Sequence, residues 1–244
     1  MLVKIKILLP WKLDPKRDLE YLRFVLPDDV DIGGIETDIF AEGRADTALT
    51  LLEFLQSIRK AEQDGYDAIV VGCHGDPGVV EGRELVDIPL LGAMQTALCT
   101  CSMVGSHIAV MVPSRIIQRN EEYIIRGYGF ENTAKVYPLP FSSEQAVNEF
   151  WSYRETGVFG EVLSTLIDET IKAIERDDVT VVTIGCGGLM WTVQFLQEEL
   201  KKRGYNIPCI NPVPVAVETA RVFAKLGISQ SRLLYPRHAH PYAF

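Results

Sequence analysis

The chain has 244 residues, 47% of them hydrophobic and 23% charged, with a formal net charge of −9. This composition is typical of a globular protein of one large domain or two small ones. The acidic balance argues against nucleic acid or an anionic membrane as a partner, and no apolar run approaches the roughly 20 residues of a membrane span.

Apolar runs and helical periodicities alternate along the chain, which predicts parallel strands covered by helices. The strands are predicted at 3–9, 30–36, 68–72, 88–91, 107–112, 134–139, 179–185 and 207–210. The helices are predicted at 15–25, 44–63, 94–103, 115–126, 163–174, 189–200 and 212–226. The opening strand alternates charged and apolar residues and does not resemble a secretion signal. An odd number of cysteines, five, indicates reduced thiols, so we expect a cytoplasmic protein.

Two matching segments, one in each half of the chain, end in Gly-Cys. Cys73 follows the apolar run 67–72, and Cys186 follows the run 179–185. Each cysteine precedes a glycine-rich stretch, and an Ile-Pro pair follows about 15 to 20 residues later in both halves. Ligands of open α/β sheets bind at the carboxyl ends of the strands, so both thiols are predicted at strand tips that can carry reactive groups.

The half-repeat predicts an α/β fold of two pseudo-symmetric lobes, each a parallel sheet flanked by helices. The first lobe is expected at 1–104 and the second at 105–212, with 213–244 returning to the first lobe. We expect the active site in the cleft between the lobes, where one thiol from each half can reach the same ligand.

Two thiols facing one carbon atom can invert a stereocentre without a cofactor. A thiol has an unperturbed pKa of about 8.5, which helix N-termini or nearby cations lower. One thiolate then removes a proton from a carbon next to a carbonyl, and the opposite thiol returns a proton to the other face. Backbone N–H groups of the glycine-rich turns, near His74, Gly75, Gly187 and Gly188, can bind a carboxylate, with Ser114 nearby.

At these residues the sequence resembles the aspartate/glutamate/hydantoin racemase superfamily, nearest the hydantoin and allantoin racemase branch. The similarity is carried by three segments: Gly72-Cys73-His74-Gly75-Asp76-Pro77-Gly78, Ile184-Gly185-Cys186-Gly187-Gly188-Leu189-Met190, and Ile207-Pro208 through Asn211-Pro212-Val213. The resemblance implies that Cys73 and Cys186 act as acid and base, that no pyridoxal phosphate is used, and that backbone amides after each cysteine hold a carboxylate or ring carbonyl. We expect no cofactor and no metal.

The chain departs from the branch at three positions. Trp11 stands where an Asn-rich turn usually follows the first strand, and it becomes a candidate substrate-binding residue. Gln95 replaces an often-present Glu, and Ser114 lies where a Thr is expected. These departures leave the identity of the substrate open.

Other residues allow simpler interpretations. His74 is either a second acid or base beside Cys73 or a solvent-facing turn residue. The pair Cys99 and Cys101 suggests a metal site, but helix packing is the better interpretation because no further ligands have useful spacing. Cys209 is interpreted as a core residue. The pair His238 and His240 resembles a metal-binding fragment and is more often a solvated tail.

The predicted function is a cofactor-independent racemase or epimerase that acts next to a carbonyl of an amino acid, hydantoin or related small acid. We expect a small-molecule substrate and a homo-oligomer. Two alternatives remain: a cis–trans isomerase or lyase of the maleate isomerase or arylmalonate decarboxylase type, and a non-catalytic small-molecule-binding accessory protein.

Overall fold

The computed structural model describes residues 3–37, 39 and 43–237. The chain divides into two compact units, one formed by Met1–Ala93 with Val213–Phe244 and the other by Met94–Pro212. His238 and His240 lie outside the described residues. No helix within the described ranges is long and apolar enough to cross a membrane.

The first unit contains a four-stranded parallel sheet in the order β2-β1-β3-β4. Its strands are β1 (Ile5–Leu8), β2 (Asp31–Gly33), β3 (Ala68–Val71) and β4 (Leu90–Gly92). Its helices are α1 (Arg17–Arg23), α2 (Arg44–Gln63) and α3 (Val79–Arg83), and α9 (Pro212–Leu226) returns from the second unit. All four residues of β3 are buried, as expected of a parallel strand covered on both faces.

The second unit contains a four-stranded parallel sheet in the order β6-β5-β7-β8. Its strands are β5 (Ile108–Pro113), β6 (Ala134–Leu139), β7 (Val181–Ile184) and β8 (Cys209–Ile210). Its helices are α4 (Ala93–Val104), α5 (Arg115–Gly127), α6 (Ser143–Thr156), α7 (Glu161–Asp177) and α8 (Val193–Lys202), with a 3₁₀ helix at Gly187–Thr192. The four residues of β7 are all buried, like those of β3.

The two sheets share one strand order, in which the second strand of each unit lies outside the first and the third lies on the other side of the first. The order in which strands are added to the sheet therefore reverses between β1 and β3 in the first unit, and between β5 and β7 in the second. In open α/β sheets, ligands bind at such reversal points, beyond the carboxyl ends of the strands. The predicted α/β class with two units of parallel sheet and flanking helices is confirmed.

Three details differ from the sequence-based expectation. The boundary was expected after residue 104, whereas the compact units divide between Ala93 and Met94. The physical reason is that Met94, Leu98 and Cys101 of α4 pack into the core of the second unit. In addition, the short helix α3 and the 14-residue helix α6 were not predicted.

Candidate active site

Cys73 lies at the carboxyl end of β3, beside the end of β1. The amide of Gly72 donates to the carbonyl of Leu8 at 2.8 Å, which continues the pairing of the two strands past their last residues. The Cys73 carbonyl accepts from the amide of Asp76 at 3.1 Å and closes a tight turn. The thiol-bearing side chain is partly buried and packs against the core of the first unit.

The glycine before each cysteine is required for the same structural reason, a close approach of the neighbouring strand. A Cβ at Gly72 would lie 2.8 Å from Ile7 Cγ2 and 2.7 Å from Leu9 Cδ2, and a Cβ at Gly185 would lie 2.6 Å from Val112 Cγ1. In both units the neighbouring first strand therefore fills the space of a side chain. The repeated Gly-Cys pair allows the chain to leave the sheet close to that strand.

His74 is buried, with 2% of its surface exposed, so the solvent-facing alternative was wrong. Its role as a second acid or base beside Cys73 stays a prediction. Among the described residues, neither ring nitrogen has a hydrogen-bond partner. Burial removes the solvation of a charged imidazole and lowers the pKa of His74 from 6.5 to about 3. The ring is therefore neutral at physiological pH.

The turn after Cys73 depends on Asp76, which is buried and has a positive φ of 43°. Its carboxylate lies directly against Gly92 at the end of β4, since a Cβ on that glycine would overlap it. Asn and Asp are the non-glycine residues that adopt this backbone region most readily. Asp76 thus fixes the turn at the tip of the sheet.

Trp11 follows β1 and is partly buried. Its carbonyl accepts from the amide of Ile35 at 3.2 Å, and Gly34 approaches the same carbonyl so closely that a Cβ would overlap it. The backbone of Trp11 is therefore held at the carboxyl edge of the first sheet, in the unit that also carries Cys73. Its role in substrate binding stays a prediction.

Cys186 lies at the carboxyl end of β7 and is the residue before the 3₁₀ helix. The amide of Gly185 donates to the carbonyl of Met111 at 2.9 Å, so the strand pairing with β5 extends up to the cysteine. The sulfur of Cys186 lies 3.3 Å from Oγ of Ser143, the first residue of α6, and either atom can be the donor. This contact places a buried hydroxyl directly on the thiol, and the sequence analysis did not find it.

Ser114 lies beyond the end of β5, the strand beside β7. Its backbone has φ 72° and ψ 158°, a conformation that is costly for a residue with a side chain. The amide of Ser114 donates to the carbonyl of Leu139, at the end of β6, at 3.3 Å. Strained residues of this kind cluster at functional sites, and Ser114 lies at the sheet edge that carries Cys186.

The glycines after the cysteines have different surroundings. Gly75 is partly buried in the turn of the first unit. Around Gly187, no described atom lies within 4 Å of where a Cβ would stand. Gly188 is buried, and a Cβ there would lie 3.0 Å from the carbonyl oxygen of Ser143. The open face of the second turn is therefore at Gly187, and the packed face is at Gly188.

Of two further cysteines, Cys101 is buried in the core of the second unit and Cys209, in β8, is partly buried. Burial raises the pKa of Cys101 and of Cys209 to about 12, so both thiols stay protonated at physiological pH. Cys99 is exposed on the same helix as Cys101. Within residues 3–37, 39 and 43–237, no three His, Cys, Asp or Glu side chains form a group that could hold a metal ion.

The sequence analysis missed two polar residues around the second cysteine turn. Ser143 is the one that contacts the thiol, and its only sequence signal is the capping pattern Ser142-x-x-Gln145, which marks a helix start. Glu121 of α5 is 1% exposed, and its Cγ lies 3.3 Å from the position of a Cβ on Gly185. A buried carboxyl group therefore lies behind the turn that carries Cys186.

Comparison with known proteins identifies the family. The model of the Asp/Glu/Hydantoin racemase family matches residues 34–220. The chain belongs to this family. Hydantoin racemases from Pseudomonas sp. (strain NS671) and Paenarthrobacter aurescens are 27% and 26% identical to it over 192 residues, which cover 79% and 78% of this chain and 72% and 76% of theirs.

The fold agrees with that assignment. Allantoin racemase from Klebsiella pneumoniae superimposes with a TM-score of 0.81 at 21% identity, over 100% of this chain and 98% of that chain. The resemblance inferred from the two cysteine segments is confirmed. Since its sequence relatives are racemases, this family member is an isomerase of the racemase class.

Proposed function

We propose that this family member is a cofactor-independent racemase that uses Cys73 and Cys186 as the acid and the base on one substrate carbon. The observation that carries the proposal is the equivalence of the two thiols. Each follows the third strand of a four-stranded parallel sheet with the same strand order. Each therefore lies at the reversal point where open α/β sheets bind ligands.

The chemistry follows from having two separate thiols. One cysteine, as thiolate, takes the proton from the carbon next to a carbonyl, so that an S–H bond forms as the C–H bond breaks. The electron pair moves into the carbonyl, and the other thiol then protonates the opposite face of the carbon. For the reverse reaction the two cysteines exchange roles, because the product is the mirror image of the substrate.

The remaining candidate residues suit the recognition of a planar, carbonyl-containing anion or ring. Backbone amides at Gly187 and Gly188 begin a helical turn, where N–H groups point towards bound negative charge. The turn at His74 and Gly75 supplies the corresponding amides in the first unit, while Trp11 and Ser114 lie at the two sheet edges. Negative charge that develops on the carbonyl oxygen would be stabilised by such donors.

We infer that the substrate is a 5-substituted hydantoin, allantoin or a related small carbonyl compound with an acidic C–H group. The support is that the curated relatives are hydantoin racemases and that the proposed amide donors suit ureide and carboxylate oxygens. The partial burial of both cysteines is consistent with a small ligand.

The test is a panel of compounds, the chiral ones as single enantiomers, incubated with the purified protein without added cofactor. The panel contains allantoin, alkyl and aryl hydantoins, aspartate, glutamate, an arylmalonate and maleate. We expect loss of optical activity for at least one hydantoin or ureide, monitored by circular dichroism, with the Cys73→Ala/Cys186→Ala double variant as the control. Conversion only of maleate or the arylmalonate, or inversion that persists in the double variant, would overturn the proposal.

A further inference from the structure

The two proposed catalytic thiols need different protein groups to ionise, and the structure supplies one for Cys186 on an element outside its own turn. Ser143 begins α6, and its hydroxyl oxygen is 3.3 Å from the Cys186 sulfur. The serine is 4% exposed, so water cannot readily replace this contact. A partly buried thiolate is costly unless a donor stabilises it.

We propose that Ser143 is a positioning residue that sets the proton affinity of the Cys186 thiol. When Cys186 is the base, the Ser143 hydroxyl donates to the thiolate. When Cys186 is the acid, the thiol can donate to the hydroxyl oxygen until it is turned towards the substrate. This inference rests on the proposed function for its catalytic meaning, but the hydrogen bond itself can be tested without a substrate.

Helix α6 is held so that the hydroxyl keeps this position. Ser142 accepts from the amide of Gln145 at 3.1 Å, and the Gln145 side chain accepts from the amide of Ser142 at 2.8 Å, which fixes the first turn. The buried indole of Trp191, in the 3₁₀ helix after Cys186, donates to the carbonyl of Ala146 at 3.2 Å. The helix that carries the serine is thereby bonded to the segment that follows the cysteine.

Gly188 packs against α6, and its lack of a side chain lets Ser143 come close to Cys186. A Cβ on Gly188 would lie 3.0 Å from the carbonyl oxygen of Ser143 and 3.4 Å from Val147 Cγ2. An alanine at 188 would therefore require the Ser143 backbone to move by a few tenths of an ångström. The N-terminal end of α6 also carries a partial positive charge, which stabilises the Cys186 thiolate and so adds to the effect of the Ser143 hydroxyl.

Other titratable groups surround this thiol from the packed elements of its unit. Glu121 on α5 is buried behind Gly185, and Glu144 follows Ser143 on the exposed side of α6. Cys101 of α4 belongs to the core against which Cys186 packs, and burial keeps its thiol protonated, like that of Cys209 in β8. None of these groups changes when the Ser143 hydroxyl is removed, so a shift between variants reports that hydroxyl.

The experiment measures the titration of Cys186 directly. The protein is alkylated with iodoacetamide at a series of pH values, and peptide mass spectrometry follows each cysteine separately. In Ser143→Ala the midpoint of Cys186 alkylation should rise by about one to two pH units, because a hydrogen bond to a charged group is lost. The midpoint of Cys73 should stay unchanged, and Ser143→Thr, which keeps a hydroxyl, should restore most of the Cys186 value.

Ser142→Ala is the matched control, since it removes the neighbouring hydroxyl and the helix cap but not the contact with the sulfur. It should lower the melting temperature while leaving the Cys186 midpoint unchanged. An unchanged midpoint in Ser143→Ala, or equal shifts in both serine variants, would overturn the positioning role even if the racemase proposal holds. Conversely, a shift confined to Ser143→Ala supports the role even if no compound of the panel is racemised.

Discussion

The two cysteine turns follow equivalent strands, but they differ in what surrounds the sulfur. After Cys73 the chain places a buried, neutral His74 and then the positive-φ residue Asp76. After Cys186 it places two glycines, and a hydroxyl from α6 reaches the sulfur. The fold thus repeats the position of the thiol, while each unit builds its local environment from different elements.

In the proposed mechanism, the two turns perform equivalent proton transfers in different surroundings. Under the proposed mechanism, each enantiomer would meet a thiolate on one side of its carbon and a thiol on the other, so the two thiols would need similar proton affinities. In the second turn, the Ser143 hydroxyl is the group that contacts the thiol. Substitutions in one turn at a time can distinguish the contribution of the thiols, which both units share, from that of their different surroundings.

The largest expected effect comes from the shared feature, the thiols themselves. Cys73→Ala and Cys186→Ala should each reduce racemisation at least about 10³-fold, because one face of the carbon loses its acid or base. The rate is measured by circular dichroism with the compound that the panel identifies. Cys99→Ala, at an exposed cysteine, is the control and should retain the wild-type rate. Nearly equal rates in all three variants would remove the basis for a two-thiol mechanism.

A smaller effect is expected at the open side of the second turn. Gly187→Ala should leave the free energy of unfolding within about 0.5 kcal/mol of wild type, since no described atom lies near the new Cβ. If substrate occupies that space, kcat/KM should fall roughly 10- to 100-fold through misplacement of the reacting carbon. Unfolding in urea and steady-state kinetics measure the two quantities.

The neighbouring glycine provides the matched variant. Gly188→Ala places its Cβ against the Ser143 carbonyl, so it should cost about 1–3 kcal/mol of stability. If Gly187→Ala keeps full activity, the substrate does not use the space beside the second cysteine turn as proposed. If Gly187→Ala destabilises the protein more than Gly188→Ala does, the packing of the turn differs from that in the structure.

The smallest effect concerns the first turn and its dependence on pH. The folded-state pKa of His74 lies at about 3, below the usual 6.5, so at acidic pH the unfolded chain binds a proton that the folded chain excludes. This contribution to stability is present above pH 6.5 and is lost as the pH falls from there towards 3, by about 2 kcal/mol at pH 5. His74→Leu should remove this part of the slope of unfolding free energy against pH.

The same substitution at His107, an exposed histidine, serves as the control. Urea unfolding at pH 7 and pH 5 gives the slope for wild type and both variants. His74→Leu should be at least as stable as wild type at pH 7, because no polar partner is lost. An identical pH slope in wild type and His74→Leu would show that the imidazole is not excluded from protonation by the fold.

Much of the fold could be predicted because buried parallel strands leave a plain signal. The runs before Cys73 and Cys186 are apolar on both faces, and the Gly-Cys pair marks where each strand ends. The repetition of that signal correctly indicated two units of parallel sheet. The boundary between the units was predicted after residue 104, but it lies before Met94. Strand patterns in the sequence do not show which core a connecting helix such as α4 packs into.

The environment of the site was less predictable for a similar reason. In α6 the buried residues are Ser143, Ala146 and Phe150, a narrow stripe that starts with a polar residue, so no amphipathic pattern marks the helix. Ser143 and Cys186 are 43 positions apart in the sequence, and tertiary packing of α6 against the 3₁₀ helix brings them together. The burial of His74 likewise depends on tertiary packing, which a glycine-rich turn sequence does not encode.

The most direct test of the central claim is hydrogen exchange by the single-cysteine variants in heavy water. With one thiol left, the enzyme can still deprotonate the enantiomer whose hydrogen faces that thiol, although it cannot invert it. We predict that Cys73→Ala and Cys186→Ala each exchange the hydrogen of one enantiomer for deuterium, with opposite preferences, as followed by proton NMR. Exchange of the same enantiomer by both variants, or full racemisation by either one, would contradict the assignment of one thiol to each face of the carbon.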